Sequence, residues 1–289
     1  MPKEISLDEI KKFWPEHAPD INVVQKYISK YEKEIIVIKY GGNVLIDRNV
    51  FNNFISDINV LNKLGLSVIV VHGGGPRIKR ELEKKKIISK FINGLRVTDK
   101  NIINTVEEVL IDFNNDIVNS LKKLGSNAAS FHTKKDNIID VEPEREELGF
   151  VGIPKKINSN LIEKALFENK IPIIAPLGLG GNNQTFNING DTAASAIAKK
   201  LKSRRLILMT NVEGVYDDRK NLISEIKPFD IENLIKLKIV EGGMIPKIEN
   251  CVDAVKNGVR GVVILDGRKP HSILHEIFSD TGSGTLIRK

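Results

Sequence analysis

Two lysines and one aspartate stand at glycine-rich turns of the sequence, where they could act together on a phosphoryl group. Lys39 lies just before a pair of glycines, and Lys247 follows another pair shortly after it. Asp191 lies between them in the chain. Phosphoryl transfer depends mainly on positioning and charge neutralisation. Two ammonium groups held by one carboxylate would therefore suit it, and an ionised carboxylate acceptor would need no general base.

Glycine-rich turns at 41–42 and 73–75 each follow an apolar segment directly. Glycine lets the backbone approach phosphate oxygens and present N–H groups to them. In open α/β sheets, ligands bind beyond the carboxyl ends of the strands, where both turns would lie. Each turn alone would also fit an ordinary tight turn, and Asp191 would also fit the N-cap of a helix beginning at Thr192.

Two familiar phosphate-binding motifs are absent from the sequence. There is no G-x-x-x-x-G-K-[ST] loop, which disfavours a P-loop kinase. There is also no G-x-G-x-x-G segment with an acidic residue after the following helix, which disfavours a dinucleotide-binding protein.

From residue 34 onward, apolar strand-like runs alternate with helical patterns. The run at 35–38 is continuously β-branched, as is typical of a strand buried on both faces. We predict strands at 35–38, 66–71, 127–132, 171–175, 205–209, 261–265 and, at an edge of the sheet, 284–287. We predict helices at 50–64, 102–124, 161–168, 192–201, 231–237, 246–257 and 273–278, and a hairpin or loop excursion around 142–153. This α/β alternation predicts a three-layer αβα sandwich with a mainly parallel central sheet.

An N-terminal helical extension precedes the first strand. A helix is predicted at 5–14, because Ser6 and Glu9 form a capping-box pattern. A second helix beginning near residue 20 carries an apolar stripe at helical spacing. The stripe comprises Val24, Tyr27, Ile28 and Tyr31. It could pack back on the domain or dock on another subunit, and the sequence leaves both open.

Composition narrows the partners and the compartment. The 289 residues carry a formal net charge of +7, but the lysines are dispersed among acidic residues, so we predict no nucleic-acid partner. No apolar stretch approaches the roughly 20 residues that span a bilayer, and no signal peptide is evident, so we predict no membrane partner. The one cysteine, Cys251, excludes a disulfide within the chain and fits the reducing cytoplasm. Its helical pattern favours a buried structural thiol.

Six segments together resemble the amino acid kinase family. They are Ile38-Lys39-Tyr40-Gly41-Gly42-Asn43, Val70-Val71-His72-Gly73-Gly74-Gly75-Pro76, Asn93-Gly94-Leu95-Arg96-Val97-Thr98, Asn187-Ile188-Asn189-Gly190-Asp191, Gly243-Met244-Ile245-Pro246-Lys247 and Leu265-Asp266-Gly267-Arg268. The resemblance runs from about residue 34 to the end. It implies an N-terminal extension at 1–33, a substrate lobe at 34–178 and an ATP lobe at 179–289.

The resemblance implies an activity and a set of roles. The expected reaction is transfer of the γ-phosphate of ATP to the γ-carboxylate of N-acetyl-L-glutamate, the second step of arginine biosynthesis. The catalytic residues would be Lys39 and Lys247, with Asp191 orienting both. The substrate would be bound by Gly74, Gly75, Arg96 and Asn187, and the nucleotide by Gly41, Gly42, Thr210, Asn211 and Gly214. Mg²⁺ would be coordinated by ATP oxygens, so no metal-ligating residue is expected.

The resemblance also implies regulation and assembly. Family members with an N-terminal helix are inhibited by arginine and form hexameric rings of dimers. The stripe at 24–31 is similar to that helix, so we expect a homo-oligomer, either dimer or hexamer. Arginine would contact Tyr27, Glu276 and Gly282. A nitrogen-signalling protein is a further candidate partner.

Two alternatives stay open at this point. One is a kinase of the same family acting on a carrier-protein-linked amino acid. The other is a catalytically silent, arginine-sensing scaffold, against which the presence of Lys39, Asp191 and Lys247 argues.

Overall fold

A computed structural model describes residues 6–41 and 47–289 of the chain. The strands are β1 (Ile35–Tyr40), β2 (Ser67–His72), β3 (Phe91–Ile92), β4 (Leu95–Arg96), β5 (Ala128–Phe131), β6 (Ile139–Pro143), β7 (Gly152–Ile157), β8 (Ile171–Ile174), β9 (Leu177–Leu179), β10 (Thr185–Asn187), β11 (Arg205–Thr210), β12 (Glu225–Ile226), β13 (Val262–Asp266) and β14 (Gly284–Ile287). The helices are α1 (Leu7–Lys11), α2 (Val24–Ile28), α3 (Arg48–Lys63), α4 (Gly75–Lys84), α5 (Lys100–Lys123), α6 (Ser159–Phe167), α7 (Gly190–Lys200), α8 (Ile231–Lys236), α9 (Met244–Lys256) and α10 (Ser272–Ile277). None of the helices in these two ranges is long and apolar enough to cross a membrane.

An eight-stranded sheet forms the centre of the molecule, in the order β12-β14-β13-β11-β1-β2-β8-β5. Its neighbouring strands are parallel except for β13 and β14, which are antiparallel. The predicted, mainly parallel sheet is therefore confirmed. The prediction that β14 lies at an edge is wrong, because the two-residue strand β12 pairs outside it. A strand of two residues is too short to be recognised as an apolar run in the sequence.

Helices cover both faces of this sheet. Alternate residues of β1 point in opposite directions, as a pleated strand requires. Ile36 and Ile38 belong to a buried cluster with α3, α5 and α10, whereas Val37 belongs to another with α6, α7 and α9. Burial on both faces explains the continuous apolar runs and confirms the predicted three-layer αβα sandwich.

A second, four-stranded sheet of order β10-β9-β6-β7 lies beside the main one. The hairpin predicted around 142–153 is confirmed as the antiparallel pair β6 and β7. The glycine cluster at 178–182 lies in the antiparallel hairpin of β9 and β10, where Gly178 pairs with Phe186. Strands β3 and β4 form a separate two-stranded hairpin.

The N-terminal extension packs on the chain's own body. The capping box of Ser6 and Glu9 is confirmed, although α1 is shorter than predicted. The side chains of Val24, Tyr27 and Tyr31 are buried in the same cluster as α3 and α10. The ring centroid of Trp14 lies 5.7 Å from that of Phe278. Of the two options left open by the sequence, packing back on the domain is the one that this single chain displays.

The interpretation of Cys251 as a structural thiol is confirmed. Its side chain lies in α9 and is 1% exposed. Burial raises the pKa of the thiol to about 12, which leaves it uncharged at neutral pH.

Candidate active site

Three charged side chains meet at the carboxyl edge of the main sheet. Lys39 Nζ lies 2.9 Å from Asp191 Oδ1, and Lys247 Nζ lies 2.5 Å from Asp191 Oδ2. The three side chains are only 11%, 19% and 19% exposed, in the order Lys39, Asp191 and Lys247. The residues that the sequence predicted to act together are thus in direct contact.

Each member of this trio is positioned by a different element. Lys39 belongs to the central strand β1, whereas Asp191 and Lys247 lie in the first turns of α7 and α9. The N-cap of α7 is Asn189, whose side chain accepts from the backbone N–H groups of Asp191 and Thr192. The alternative in which Asp191 caps this helix is therefore wrong. Because Asn189 caps it, the Asp191 carboxylate is free to bridge the two lysines.

The electrostatics of Asp191 favour its charged form. Burial by itself would raise the pKa of this carboxyl group. The charges of Lys39 and Lys247, and the hydrogen bonds that both donate, outweigh burial and hold the pKa well below its usual range. Asp191 is therefore ionised at neutral pH, and the trio carries one net positive charge that suits an anionic ligand.

A cleft opens in front of Lys39 and Asp191. Gly74 precedes α4 and Gly75 begins it, so the positive end of a ten-residue helix faces this space. Within the described residues, no acceptor takes the backbone N–H groups of these two glycines. Arg96 and Asn187 line the same cleft. The four predicted substrate-binding residues therefore line one cleft.

Arg96 is a buried guanidinium at this cleft, 7% exposed. Its Nη1 donates to Ser89 Oγ, its Nη2 donates to the carbonyl oxygen of Gly75 at 3.3 Å, and its Cζ lies 4.7 Å from the ring centroid of Phe91. Burial lowers the pKa of Arg96 from its usual value. Asp99 does not pair with it, because the Asp99 carboxylate caps α5. Among the described residues no carboxylate neutralises Arg96, which leaves it suited to an anionic ligand.

Asn187 is the last residue of β10 and lines the cleft. Its backbone N–H donates to the carbonyl oxygen of Phe150 at 2.9 Å. Its side-chain Nδ2 lies 3.5 Å from Thr98 Oγ1, a long contact that leaves the amide able to bind a ligand.

Of the predicted nucleotide-binding residues, Gly41 and Thr210 lie at the same sheet edge, and Asn211 and Gly214 lie in the loop that follows Thr210. Thr210 ends β11, the neighbour of β1, and Lys39 pairs with Leu208 two positions earlier. The following loop is held by Arg268, whose Nη2 donates to the carbonyl oxygen of Asn211 at 2.9 Å. Gly214 has a φ of 155°, and a Cβ there would lie 2.3 Å from Thr285 Oγ1, so only glycine fits. Of the glycine pair after β1, Gly41 is described, and Gly42 lies outside the described residues.

The donor set of the site offers little to a metal ion on its own. Within residues 6–41 and 47–289, no three His, Cys, Asp or Glu side chains are grouped to hold one. Both oxygens of Asp191 are already engaged by ammonium groups. These residues therefore fit a cation that arrives coordinated by phosphate oxygens, rather than one held by a protein cage.

The three residues expected to bind arginine lie where the N-terminal extension meets the C-terminal segment. Lys26 Nζ lies 2.9 Å from Asp280 Oδ2, beside Tyr27. The Oε2 of Glu276 accepts from the backbone N–H of Ser283 at 2.9 Å, and burial raises the pKa of Glu276. Gly282 has a φ of 69°, and a Cβ there would lie 2.7 Å from Glu276 Oε2.

Sequence reasoning assigned no role to two groups that support the site. One is Arg268, which donates to Asp266 as well as to Asn211. The other is the pair of His72 and Asn114, which lie beneath the glycine turn 73–75. His72 adjoins that turn in the sequence, but Asn114 carries no signal in the pattern of α5.

This fold and this site define the class of protein. The chain belongs to the amino acid kinase family, whose model matches residues 34–266.

Individual relatives narrow the class further. The chain is 52% identical to an acetylglutamate kinase of Pelagibacter ubique (strain HTCC1062), over 98% of each chain. It is 46% identical to an acetylglutamate kinase of Clostridioides difficile (strain 630), over 91% of this chain and 94% of the relative.

Solved structures share the fold. An N-acetylglutamate synthase of Neisseria gonorrhoeae, complexed with coenzyme A and N-acetyl-glutamate, superposes with a TM-score of 0.83 at 22% identity. That match covers 93% of this chain but 62% of the synthase. A carbamate kinase of Giardia lamblia bound to AMP-PNP superposes with a TM-score of 0.65 at 18% identity, over 89% of this chain and 98% of the kinase.

Proposed function

We propose that this protein phosphorylates the γ-carboxylate of N-acetyl-L-glutamate with ATP, forming N-acetyl-L-glutamyl 5-phosphate. The observation that carries the proposal is the bridge of Lys39 and Lys247 through Asp191, beside a cleft that contains the uncompensated Arg96. Relatives named acetylglutamate kinase, 40–52% identical over nearly the whole chain, support the choice of acceptor. The reaction is the second step of arginine biosynthesis.

The trio performs the chemistry through charge. An oxygen of the acceptor carboxylate attacks the γ-phosphorus in line, a new P–O bond forms, and the bond from that phosphorus to the β,γ-bridging oxygen breaks. Lys39 and Lys247 neutralise the charge on the phosphoryl oxygens and on the departing ADP. Asp191 keeps both ammonium groups in place and lets them stay close despite their repulsion.

The cleft orients the acceptor. The planar Arg96 guanidinium takes the α-carboxylate of acetylglutamate in a bidentate pair, and Asn187 hydrogen-bonds the same end. The N–H groups of Gly74 and Gly75 donate to the reacting end, where negative charge accumulates. These contacts at the two ends of the acceptor hold its γ-carboxylate next to Lys39.

The nucleotide occupies the neighbouring part of the sheet edge. Its phosphates lie at Gly41 and Gly42, and the rest of ATP lies along Thr210, Asn211 and Gly214. Mg²⁺ would arrive with ATP and would supply charge neutralisation at the phosphates, and no residue of this chain is assigned to hold it. In this arrangement the lobe at 34–178 supplies most of the acceptor site together with Gly41 and Gly42, and the lobe at 179–289 supplies Asn187 and the rest of the ATP site. A cytoplasmic location fits the single cysteine.

The deciding experiment is ATP turnover by the purified chain with N-acetyl-L-glutamate, measured as ADP release and as acyl phosphate trapped by hydroxylamine. Free L-glutamate and carbamate serve as comparison acceptors. We expect acyl phosphate only with acetylglutamate. Turnover with a carrier-linked amino acid but not with the free acceptor would favour the first alternative, and no turnover at all would favour the silent scaffold.

Replacing Arg96 with lysine should raise the KM for acetylglutamate by about ten- to a hundredfold. A lysine cannot make the bidentate pair, and a lost charge-assisted hydrogen bond costs about 1.5–3 kcal/mol. The KM for ATP should stay within about twofold, because Arg96 faces the acceptor side. Steady-state kinetics with each substrate varied would measure both constants.

The matched control for that change is Arg145→Lys. Arg145 forms an exposed pair with Glu147, with 2.9 Å between Nη1 and Oε1, away from the cleft residues. It should leave both KM values unchanged. An Arg96→Lys enzyme with an unaltered KM for acetylglutamate would contradict the assigned role.

We also propose that arginine inhibits the enzyme by binding between the N-terminal extension and the C-terminal segment, in a homo-oligomer that is a dimer or a hexameric ring of dimers. The half-buried Glu276 would receive the guanidinium or amino group, Tyr27 would close the site, and the absent side chain of Gly282 would leave room. A nitrogen-signalling protein is a candidate regulator of this assembly.

Replacing Glu276 with glutamine should raise the arginine concentration for half-inhibition at least about tenfold, because a buried charged pair would become a neutral contact. Dose–response curves of wild type and variant would test this, with Glu142→Gln as the control, because Glu142 is exposed and pairs with Lys155 in the second sheet. Equal curves, or a wild-type enzyme that arginine leaves fully active, would end this part of the proposal.

A further inference from the structure

A buried polar network lies directly beneath the glycine turn of the cleft. His72, the last residue of β2, is fully buried, as is Asn114 of α5. The Nδ1 of His72 lies 2.8 Å from the carbonyl oxygen of Gly73, and its Nε2 lies 3.2 Å from Asn114 Nδ2. Ser130 and the backbone of Ile173 complete the network.

The partners of Asn114 fix which way its amide faces. Its Nδ2 donates to the carbonyl oxygen of Ile173 at 2.9 Å, and its Oδ1 accepts from Ser130 Oγ at 2.6 Å. An amide nitrogen in that place is a donor, so the Nε2 of His72 must accept from it. A neutral imidazole that accepts at Nε2 carries its proton at Nδ1. The proton of His72 therefore points at the carbonyl oxygen of Gly73.

Burial keeps this imidazole neutral. It lowers the pKa of His72 to about 4, even though the bond to Gly73 acts in the opposite direction. The single proton consequently stays at Nδ1 throughout the neutral range, and His72 is not a proton carrier for the reaction.

The bond from His72 determines where the next amide points. The carbonyl of Gly73 and the N–H of Gly74 belong to one planar trans peptide, so they face opposite ways. The other side of Gly73 is fixed as well, since its own N–H donates to the carbonyl oxygen of Tyr40 at 2.6 Å. With the carbonyl held on His72 below, the N–H of Gly74 faces away from the network, and Gly74 lines the cleft.

We propose that His72 is a positioning residue: held in one tautomer by Asn114, it aims the backbone N–H of Gly74 at the reacting end of the acceptor. This inference rests on the proposed function of the cleft. It assigns to His72 an effect on the transition state through the peptide that it orients, with no contact to substrate. Glycine supplies no side chain at 73 or 74 to fix the turn, so the imidazole does so from below.

The test compares two substitutions of His72, of which one provides a hydrogen-bond donor and the other does not. Asparagine at 72 can place an amide nitrogen near the position of Nδ1, whereas phenylalanine has no donor. We expect His72→Phe to lower kcat at least about tenfold, as for a misaligned donor to developing charge, with the KM for ATP within about twofold. His72→Asn should recover much of that loss.

Ser130→Ala is the matched control. It removes one hydrogen bond of the same network but leaves Asn114 anchored on Ile173, so kcat should stay near the wild-type value. Thermal denaturation of all variants would separate a positioning effect from unfolding. Wild-type kcat in His72→Phe, no recovery in His72→Asn, or an equal loss in Ser130→Ala would each overturn the inference.

One measurement needs no active enzyme and no phenylalanine variant. In the wild-type protein labelled with ¹⁵N-histidine, His72 should show a pyrrole-type shift at Nδ1 and a pyridine-type shift at Nε2, assigned by their absence from the His72→Asn spectrum. The opposite tautomer would refute the positioning role. Lack of turnover by wild type, with the expected tautomer present, would instead count against the proposed function.

Discussion

Replacing Lys247 with alanine should lower kcat by about 10²–10³-fold while the KM values for both substrates change by less than about threefold. In the proposed mechanism the ammonium group of Lys247 acts on charge that develops during transfer, and loss of one such donor typically costs this much in kcat. Asp191 would keep its 2.9 Å pair with Lys39, so the ground-state site would persist. Steady-state kinetics on purified wild type and variant would measure the effect.

A surface lysine of similar reach provides the control. Lys199, in α7, pairs with Asp253 at 2.6 Å, and its side chain is 33% exposed. Lys199→Ala should leave kcat unchanged. A Lys247→Ala enzyme with full turnover and raised KM values would show that Lys247 binds the ground state instead.

Replacing Asp191 with asparagine should lower kcat by about 10³-fold and destabilise the fold by about 3 kcal/mol, the scale for removing one partner from a buried ionic group. Lys39 and Lys247 would then repel one another across a neutral amide. The two ammonium groups would move apart, and they would no longer neutralise the charge of the phosphoryl group together. Urea denaturation and initial-rate kinetics would measure the two effects.

The destabilisation should depend on pH with a defined sign. Burial opposes the ionisation of Asp191, but the two lysines outweigh it and lower the pKa in the folded state. The stabilisation by Asp191 is therefore fully present above the ordinary carboxyl range and is lost progressively as the pH falls below that range toward the lower pKa of the folded state. The gap in unfolding free energy between wild type and Asp191→Asn should narrow on acidification. Asp253→Asn, on the surface, is the control, and a gap that widens in acid would contradict the assignment.

The alternation of strands and helices along the sequence was enough to predict the three layers of the fold. The second sheet and the strand order were harder to predict, because the local sequence records them poorly or not at all. β-Branched runs such as 35–38 are typical of strands buried on both faces. The second sheet was only partly anticipated, since β7 contains Pro154, Lys155 and Lys156 and lacks a regular apolar alternation. Strand order, and the antiparallel placement of β14, depend on contacts between distant segments that no local pattern records.

The candidate site was predictable where chemistry leaves a motif. Glycine pairs beside Lys39 and Lys247 marked backbone turns, and the structure brings both lysines to Asp191. Residues that support the site from below, such as Asn114, belong to no motif of this kind. Asn114 lies 42 positions from His72, in the middle of a long helix, where an asparagine reads as one polar residue among many.

The seclusion of the thiol in α9 has a practical consequence. A protonated thiol with almost no accessible surface does not react with maleimides or iodoacetamide, because thiolate is the nucleophile. Since Cys251 is the chain's one cysteine, a second cysteine introduced on the surface would take a dye or spin label by itself. Pairs of such probes, one in residues 34–178 and one in residues 179–289, would then report the distance between these two parts of the chain, with no background from the native thiol.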